Sequence, residues 1–150
     1  MRHRARIHAV QALYQAEVWK GRTPELTEQL LTELELPADT AQFTRELTAG
    51  TLKYRRDIDR LLRMHLEHWK LERLSSTTRN ILRLATYELC YGPPLPHHVV
   101  FDEALELGKE FVDEQFHGLI NRVLQKIYDA LQLEKVAPEE EPSPPEAASE

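Results

Sequence analysis

Arg79-Asn80-Ile81-Leu82-Arg83-Leu84-Ala85-Thr86-Tyr87-Glu88-Leu89 carries the strongest pattern in the chain. Wound at about 100° per residue, Ile81, Leu82, Leu84, Ala85 and Leu89 cover one broad arc, with Arg79, Arg83 and Thr86 opposite. A surface helix has a narrower apolar stripe, so this segment reads as a central helix with neighbours on more than one side. Glu88 falls inside the apolar arc. A carboxylate there must be paired or hydrogen-bonded, because burying it bare is costly. The expected partners are free N–H groups at the start of the next helix, near His97–Val99. That role is architectural.

The flanks punctuate this helix. Leu74-Ser75-Ser76 caps its start, and Gly92-Pro93-Pro94-Leu95-Pro96 is a rigid turn that ends it. Val99–Lys109 restarts a helix with Val100, Ala104, Leu107 and Phe111 inward. Asp113 is expected to cap a last helix whose Phe116, Leu119, Ile120, Val123, Leu124, Ile127 and Leu131 keep a 3.6 period. Upstream, helix 1 is expected over about Arg4–Trp19, with Ile7, Val10, Tyr14 and Val18 at helical spacing and Gly21 ending it. Thr23-Pro24 starts helix 2, with Leu26, Leu30 and Leu34 buried. Asp39 with Gln42 reads as a capping box for helix 3, where Phe43, Leu47 and Leu52 face inward. A break is expected near Lys53–Arg56. Ile58, Leu61, Leu62, Met64 and Trp69 mark helix 4.

The chain has 150 residues, 41% hydrophobic, with only 5 Gly. Leu, Glu, Arg and Ala dominate, no period-two segment occurs, and the fold class is all-α. The net charge of −6 is unevenly placed: residues 134–150 carry −5, residues 1–83 carry +4 and residues 84–133 carry −5. A basic N-terminal half hints at an anionic partner. The Glu/Pro-rich segment 134–150 has no apolar pattern and reads as a disordered acidic tail, leaving 1–133 as the folded domain. One cysteine, Cys90, excludes an internal disulfide and fits a reducing compartment. Neither a membrane span nor a signal peptide is expected, so the location reads as cytoplasmic.

Catalysis finds little support. The glycines are isolated, so no phosphate-binding loop occurs. Cys90 has no His at i±3 or i±4 and reads as a packed thiol. Neither His65/His68 nor His97/His98 completes a ligand set, so neither metal nor cofactor is expected. Asp102, Glu103, Glu106 and Glu110 fall off the apolar face and read as a solvated acidic surface. Binding remains. Arg2, Arg4 and Arg6 lead into a strip of Arg4, His8, Gln11 and Gln15 on one helix face. Those residue types suit RNA, with Arg on phosphates and Gln on base edges. A frayed basic N-terminus is the alternative.

Arg4-Ala5-Arg6 followed by Ala9-Val10-Gln11-Ala12-Leu13-Tyr14 resembles the opening of the bacterial transcription antitermination NusB family. So do Ile81–Leu89, the block from Pro96 through Val99–Lys109, and Ile120-Asn121-Arg122-Val123-Leu124-Gln125-Lys126-Ile127, all in family order. The resemblance implies about seven helices in two tightly packed three-helix-bundle-like halves, and no enzymatic activity. It implies binding of the boxA RNA of ribosomal RNA leaders jointly with the ribosomal protein NusE, within an RNA polymerase antitermination complex. It further implies RNA contacts by Arg2, Arg4, Arg6, Gln11, Tyr14, Phe111, His117 and Asn121, and NusE contacts by Thr78, Arg79 and Arg83. Arg122 and Gln125 depart from the usual Gly and Asp; Arg122 adds a phosphate contact or is merely solvated. Two other readings stay open: a helical protein-interaction module, and an accessory domain like those of ribosomal RNA cytosine methyltransferases. The oligomeric state is left open, a homodimer included.

Overall fold

The computed structural model describes residues 2–20 and 23–140, except the side chains of 23 and 135–140. Among them are seven α-helices and no strand: α1 (Arg2–Val18), α2 (Thr23–Leu34), α3 (Ala38–Lys53), α4 (Arg55–His65), α5 (Ser76–Cys90), α6 (His97–Phe111) and α7 (His117–Glu140). Short 3-10 turns at Leu71–Arg73 and Glu114–Phe116 precede α5 and α7. The helices α1–α3 form one bundle and α4–α7 the other, and α5 packs against α1, α3, α4, α6 and α7. It is buried all round: Ile81, Leu82, Leu84 and Ala85 lie in the core, and so do Thr78, Asn80, Arg83, Thr86 and Glu88. The polar face expected on this helix is therefore interior.

Close approach explains how α1 joins α3. The buried stripe of α1 is Ala5, Ala9, Ala12 and Ala16 with Val10 and Leu13, and α3 meets it with Thr40, Ala41, Thr44, Thr48 and Thr51 around Leu47. Small side chains let the two backbones approach. The Thr44 and Thr51 hydroxyls donate to the Thr40 and Leu47 carbonyls, 2.8 and 2.7 Å away, which satisfies them without leaving their own helix. This corrects the expected stripe: Tyr14 and Val18 are more than half exposed. In α2 the buried positions are Thr27 and Leu31, with Leu26, Leu30 and Leu34 only half-buried.

Tyr54 separates α3 from α4 as the cap of both, where the break is expected. Gly50 does more than weaken α3. A Cβ there would overlap the Tyr87 ring, so its absence lets α5 press against α3. Ser75 caps α5, accepting the Thr78 N–H at 3.2 Å. Two other expected caps are absent. Pro37 precedes α3, while Asp39 lies in the first turn and accepts the adjacent Thr40 N–H. Asp113 precedes a 3-10 turn and makes no side-chain cap. The α4 helix ends at His65, leaving Met64 exposed and Trp69 outside it.

The last helix runs to Glu140, beyond the boundary at Leu133. Glu134, Lys135, Ala137 and Glu139 include good helix formers, and extending an existing helix is far easier than starting one. Residues 141–150 of the acidic tail, and Gly21 as the end of α1, lie outside the described residues.

Candidate nucleic-acid interface

Position along α1 separates the arginines. Arg4, His8, Gln11, Tyr14, Gln15, Val18 and Trp19 fall on one outward arc of about 140° at 100° per residue. Tyr14 is 51% and Trp19 57% exposed. Arg4 is exposed and has no carboxylate within 4 Å among the described residues. His8 and Gln11 join their side chains at 2.8 Å. The Gln15 Oε1 atom is covered and has no hydrogen-bond partner, an unmet acceptor of the kind that is rare in folded proteins. A guanidinium, two amides, an imidazole and two aromatic faces thus share one solvent-facing strip, suited to a flexible polyanion with stackable rings.

Arg2 and Arg6 differ from Arg4. The Arg2 guanidinium lies over the Phe43 ring of α3 at 4.3 Å, exposed and held by a cation–π contact. Arg6 is 2% exposed. Its Nε and Nη2 donate to the two Glu88 oxygens at 2.8 and 2.7 Å. This corrects two expectations together. Arg6 is no surface contact, and Glu88 is paired across to α1 instead of capping α6. Burial opposes the Arg6 charge, but the Glu88 and Glu103 carboxylates more than compensate and raise its pKa. His3, between them on the chain, bonds Glu103 at 3.0 Å and Glu110 at 2.5 Å. Those hydrogen bonds, Glu103 first, raise its pKa above the ordinary value. Part of the acidic face of α6 is therefore engaged by the start of α1.

At the far end of α6, Phe111 is 47% exposed, one residue beyond the Glu110 that holds His3. Asn121 on α7 is exposed. His117 is half-buried, its Nε2 within 2.9 Å of the Gly108 and Val112 carbonyls, so it fastens the α6–α7 corner.

Thr78 and Arg83, expected to meet a protein partner, are buried. Arg83 donates to both Asp59 oxygens at 2.8 and 3.0 Å, to Glu17 at 2.5 Å and to Asn80 at 3.1 Å. Thr78 bonds Ser75. Both are corrected from surface contacts to interior ones: Arg83 for the same reason as Arg6, since its carboxylate partners lie on other helices, and Thr78 because it packs inward beside the Ser75 cap of its own helix. Arg79 remains half-buried, donating to Glu17 at 2.8 and 3.0 Å and to the Leu74 carbonyl at 2.7 Å. Burial alone would raise the Glu17 pKa. Hydrogen bonds from Arg79, Ser76 and Arg83 reverse that and hold it at about 2.

Cys90 is half-buried in the core, and burial pushes its thiol up to about 11, which suits packing and not nucleophilic attack. Among the described residues no group of three His, Cys, Asp or Glu is arranged to hold a metal ion, and no helix is long and apolar enough to cross a membrane.

The model of the NusB family matches residues 3–129. The chain belongs to the NusB family. A transcription antitermination protein NusB from Geobacillus kaustophilus is 43% identical over 131 residues, 87% of this chain and 98% of the relative. One from Myxococcus xanthus is 38% identical over 134 residues, 87% of this chain and 96% of the relative. Among solved structures, Thermotoga maritima NusB superposes with a TM-score of 0.74 at 35% identity, covering 86% of this chain and 91% of that one. A complex of antitermination factors NusB and NusE with double-stranded RNA contains a chain with a TM-score of 0.77 at 28% identity, covering 87% and 98%. The all-helical architecture is thus that of NusB.

Sequence reasoning placed Arg4 and Gln11 on the outward face of this NusB-family chain, reached Tyr14 only through the family resemblance, and missed Trp19, which the same 100° count puts beside Gln15. It also missed the interior role of Arg6. That count places Arg6 between Leu13 and Val10, a signal available without coordinates.

Proposed function

We propose that this chain is a non-catalytic transcription antitermination factor that binds boxA RNA of ribosomal RNA leaders together with NusE. It acts in the cytoplasm as part of an RNA polymerase antitermination complex. The observation that carries the reading is the outward strip of α1: an unpaired Arg4 with Gln11, Tyr14 and Trp19 on the same outward arc, on a family fold solved elsewhere with NusE and RNA. Arg2 and Arg4 take phosphates, Gln11 takes a base edge, and Tyr14 supplies a stacking face. Phe111 and Asn121 extend the surface, with His117 holding their corner in place. Arg79 is the one residue of the expected NusE contact that reaches the surface. Residues 1–133 form the binding unit, supported by a family match that ends at 129.

The test is a boxA RNA titration with and without NusE, across salt. Binding should weaken as salt rises, through counterion release. Arg4→Ala should reduce affinity roughly tenfold and lower the salt slope by about 1. Absence of binding under every condition, NusE included, would overturn the reading.

A further inference from the structure

We propose that the pocket framed by Trp69, Arg122 and Lys126 is a further nucleotide subsite, taking a base against the indole and its phosphate on the two cations. The proposal rests on the RNA-binding function above and extends it to RNA outside the boxA core. Trp69 lies in the segment between α4 and α5, edge-on to Phe116 with ring centroids 5.2 Å apart, yet it remains 44% exposed. An indole serving only the core would be largely covered. It borders a cavity of about 220 Å³ together with His65, Glu67, His68, Arg122 and Lys126. Two cations and two imidazoles face one carboxylate there. Glu67 is held by Lys126 at 2.6 Å, and Arg122 has no carboxylate within 4 Å among the described residues. The pocket's own charge therefore favours an anion, and its ring favours one that carries a base.

Continuity with the interface singles out RNA. His117 and Asn121 occupy the first turns of α7, Arg122 is the next residue, and Lys126 follows one turn on. A Cβ at Gly118 would stand 3.2 Å from Arg122 Nη1. The guanidinium therefore folds back over the turn that carries Asn121, between the two surfaces. A strand leaving Asn121 meets Arg122 first and the indole next. An acidic protein segment would use the cations and leave the aromatic face without purpose.

The experiment uses the full chain with both tryptophans, and the Trp69 signal is the emission that Trp69→Phe removes. Two sets of RNA are titrated: the boxA core alone, and the core extended by several nucleotides at its 5′ or its 3′ end. One extension should bind about tenfold more tightly than the core and quench Trp69 emission, which the core leaves unchanged. Trp69→Ala and Arg122→Glu should each abolish that gain without altering core affinity. Arg122 is exposed, so its variant keeps the test valid should Trp69→Ala unfold. If the core binds and neither extension adds affinity or quenching, the subsite is refuted and the proposed function stands. If even the core fails to bind with NusE present, both fall. Should Arg122→Glu weaken NusE binding while extended RNA binds as before, the pocket is a protein contact and the proposal is wrong.

Discussion

Arg6 donates two hydrogen bonds to Glu88 where both side chains are buried. Removing one member of such a pair strands the other charge in a medium that solvates it poorly. Arg6→Ala should therefore lower stability by about 3–5 kcal/mol, read by urea unfolding. An RNA contact at Arg6 would instead give near-normal stability with lost affinity. Glu17 supplies a second residue-scale expectation. Its pKa is depressed from 4.5 to about 2, so its stabilisation is fully present above about pH 4.5 and disappears as pH falls towards 2. Glu17→Gln should be less stable at neutral pH and should flatten the decline of the urea midpoint within that window. An unchanged acid profile would show that the Arg79–Glu17–Arg83 cluster does not stabilise the fold. Why these pairs escaped sequence reading is physical. The need for a Glu88 partner follows from the position of Glu88 on its own helix. Which cation meets it depends on how α1 lies against α5, and the two residues are separated by 82 positions.

Among the elements, α5 was the most legible because its signals are local: a broad apolar arc, Ser75 before it and Gly92–Pro96 after it. The break at Tyr54 was local too. The α1 helix was harder, since its buried stripe is alanine. Apolar counting favours Tyr14 and Val18, whereas packing against α3 favours whatever side chain allows the closest approach. The same logic gives Gly50 a test. In an exposed helix Gly→Ala gains up to about 1 kcal/mol. Here the added methyl meets the Tyr87 ring, and overpacking of this kind is unfavourable by typically 1–3 kcal/mol. Gly50→Ala should thus lower the melting temperature, and in a Tyr87→Ala background it should raise it. A gain in both backgrounds would mean that the ring moves aside freely. The caps were less legible: Asp39 and Asp113 satisfy the spacing rules, but the chain enters α3 through Pro37 and α7 through a 3-10 turn.

For the molecule as a whole, the charge asymmetry between the halves turns out to be partly a folding device. Residues 1–83 carry +4 and residues 84–133 carry −5, and the structure joins them through Arg6 to Glu88 and His3 to Glu103 and Glu110. Net charge by segment signalled an anionic partner, yet part of that partner is the other half of the same chain. What stays available to an external polyanion on α1 is narrower: Arg2, Arg4 and the strip that follows. The fold class and the helix order came through because periodicity survives without tertiary knowledge. The division of the arginines between interior and surface required knowing which faces meet.

The clasp between Arg6 and Glu88 also turns α1 into a measuring rod. With its base bolted to the central helix, the strip cannot pivot, and successive contacts stand at intervals set by the helical rise. From Arg4 to Gln15 that is about 16 Å at 1.5 Å per residue, the length of about five stacked nucleotides at 3.4 Å each. A polynucleotide lying along it is gauged by length before any base is read.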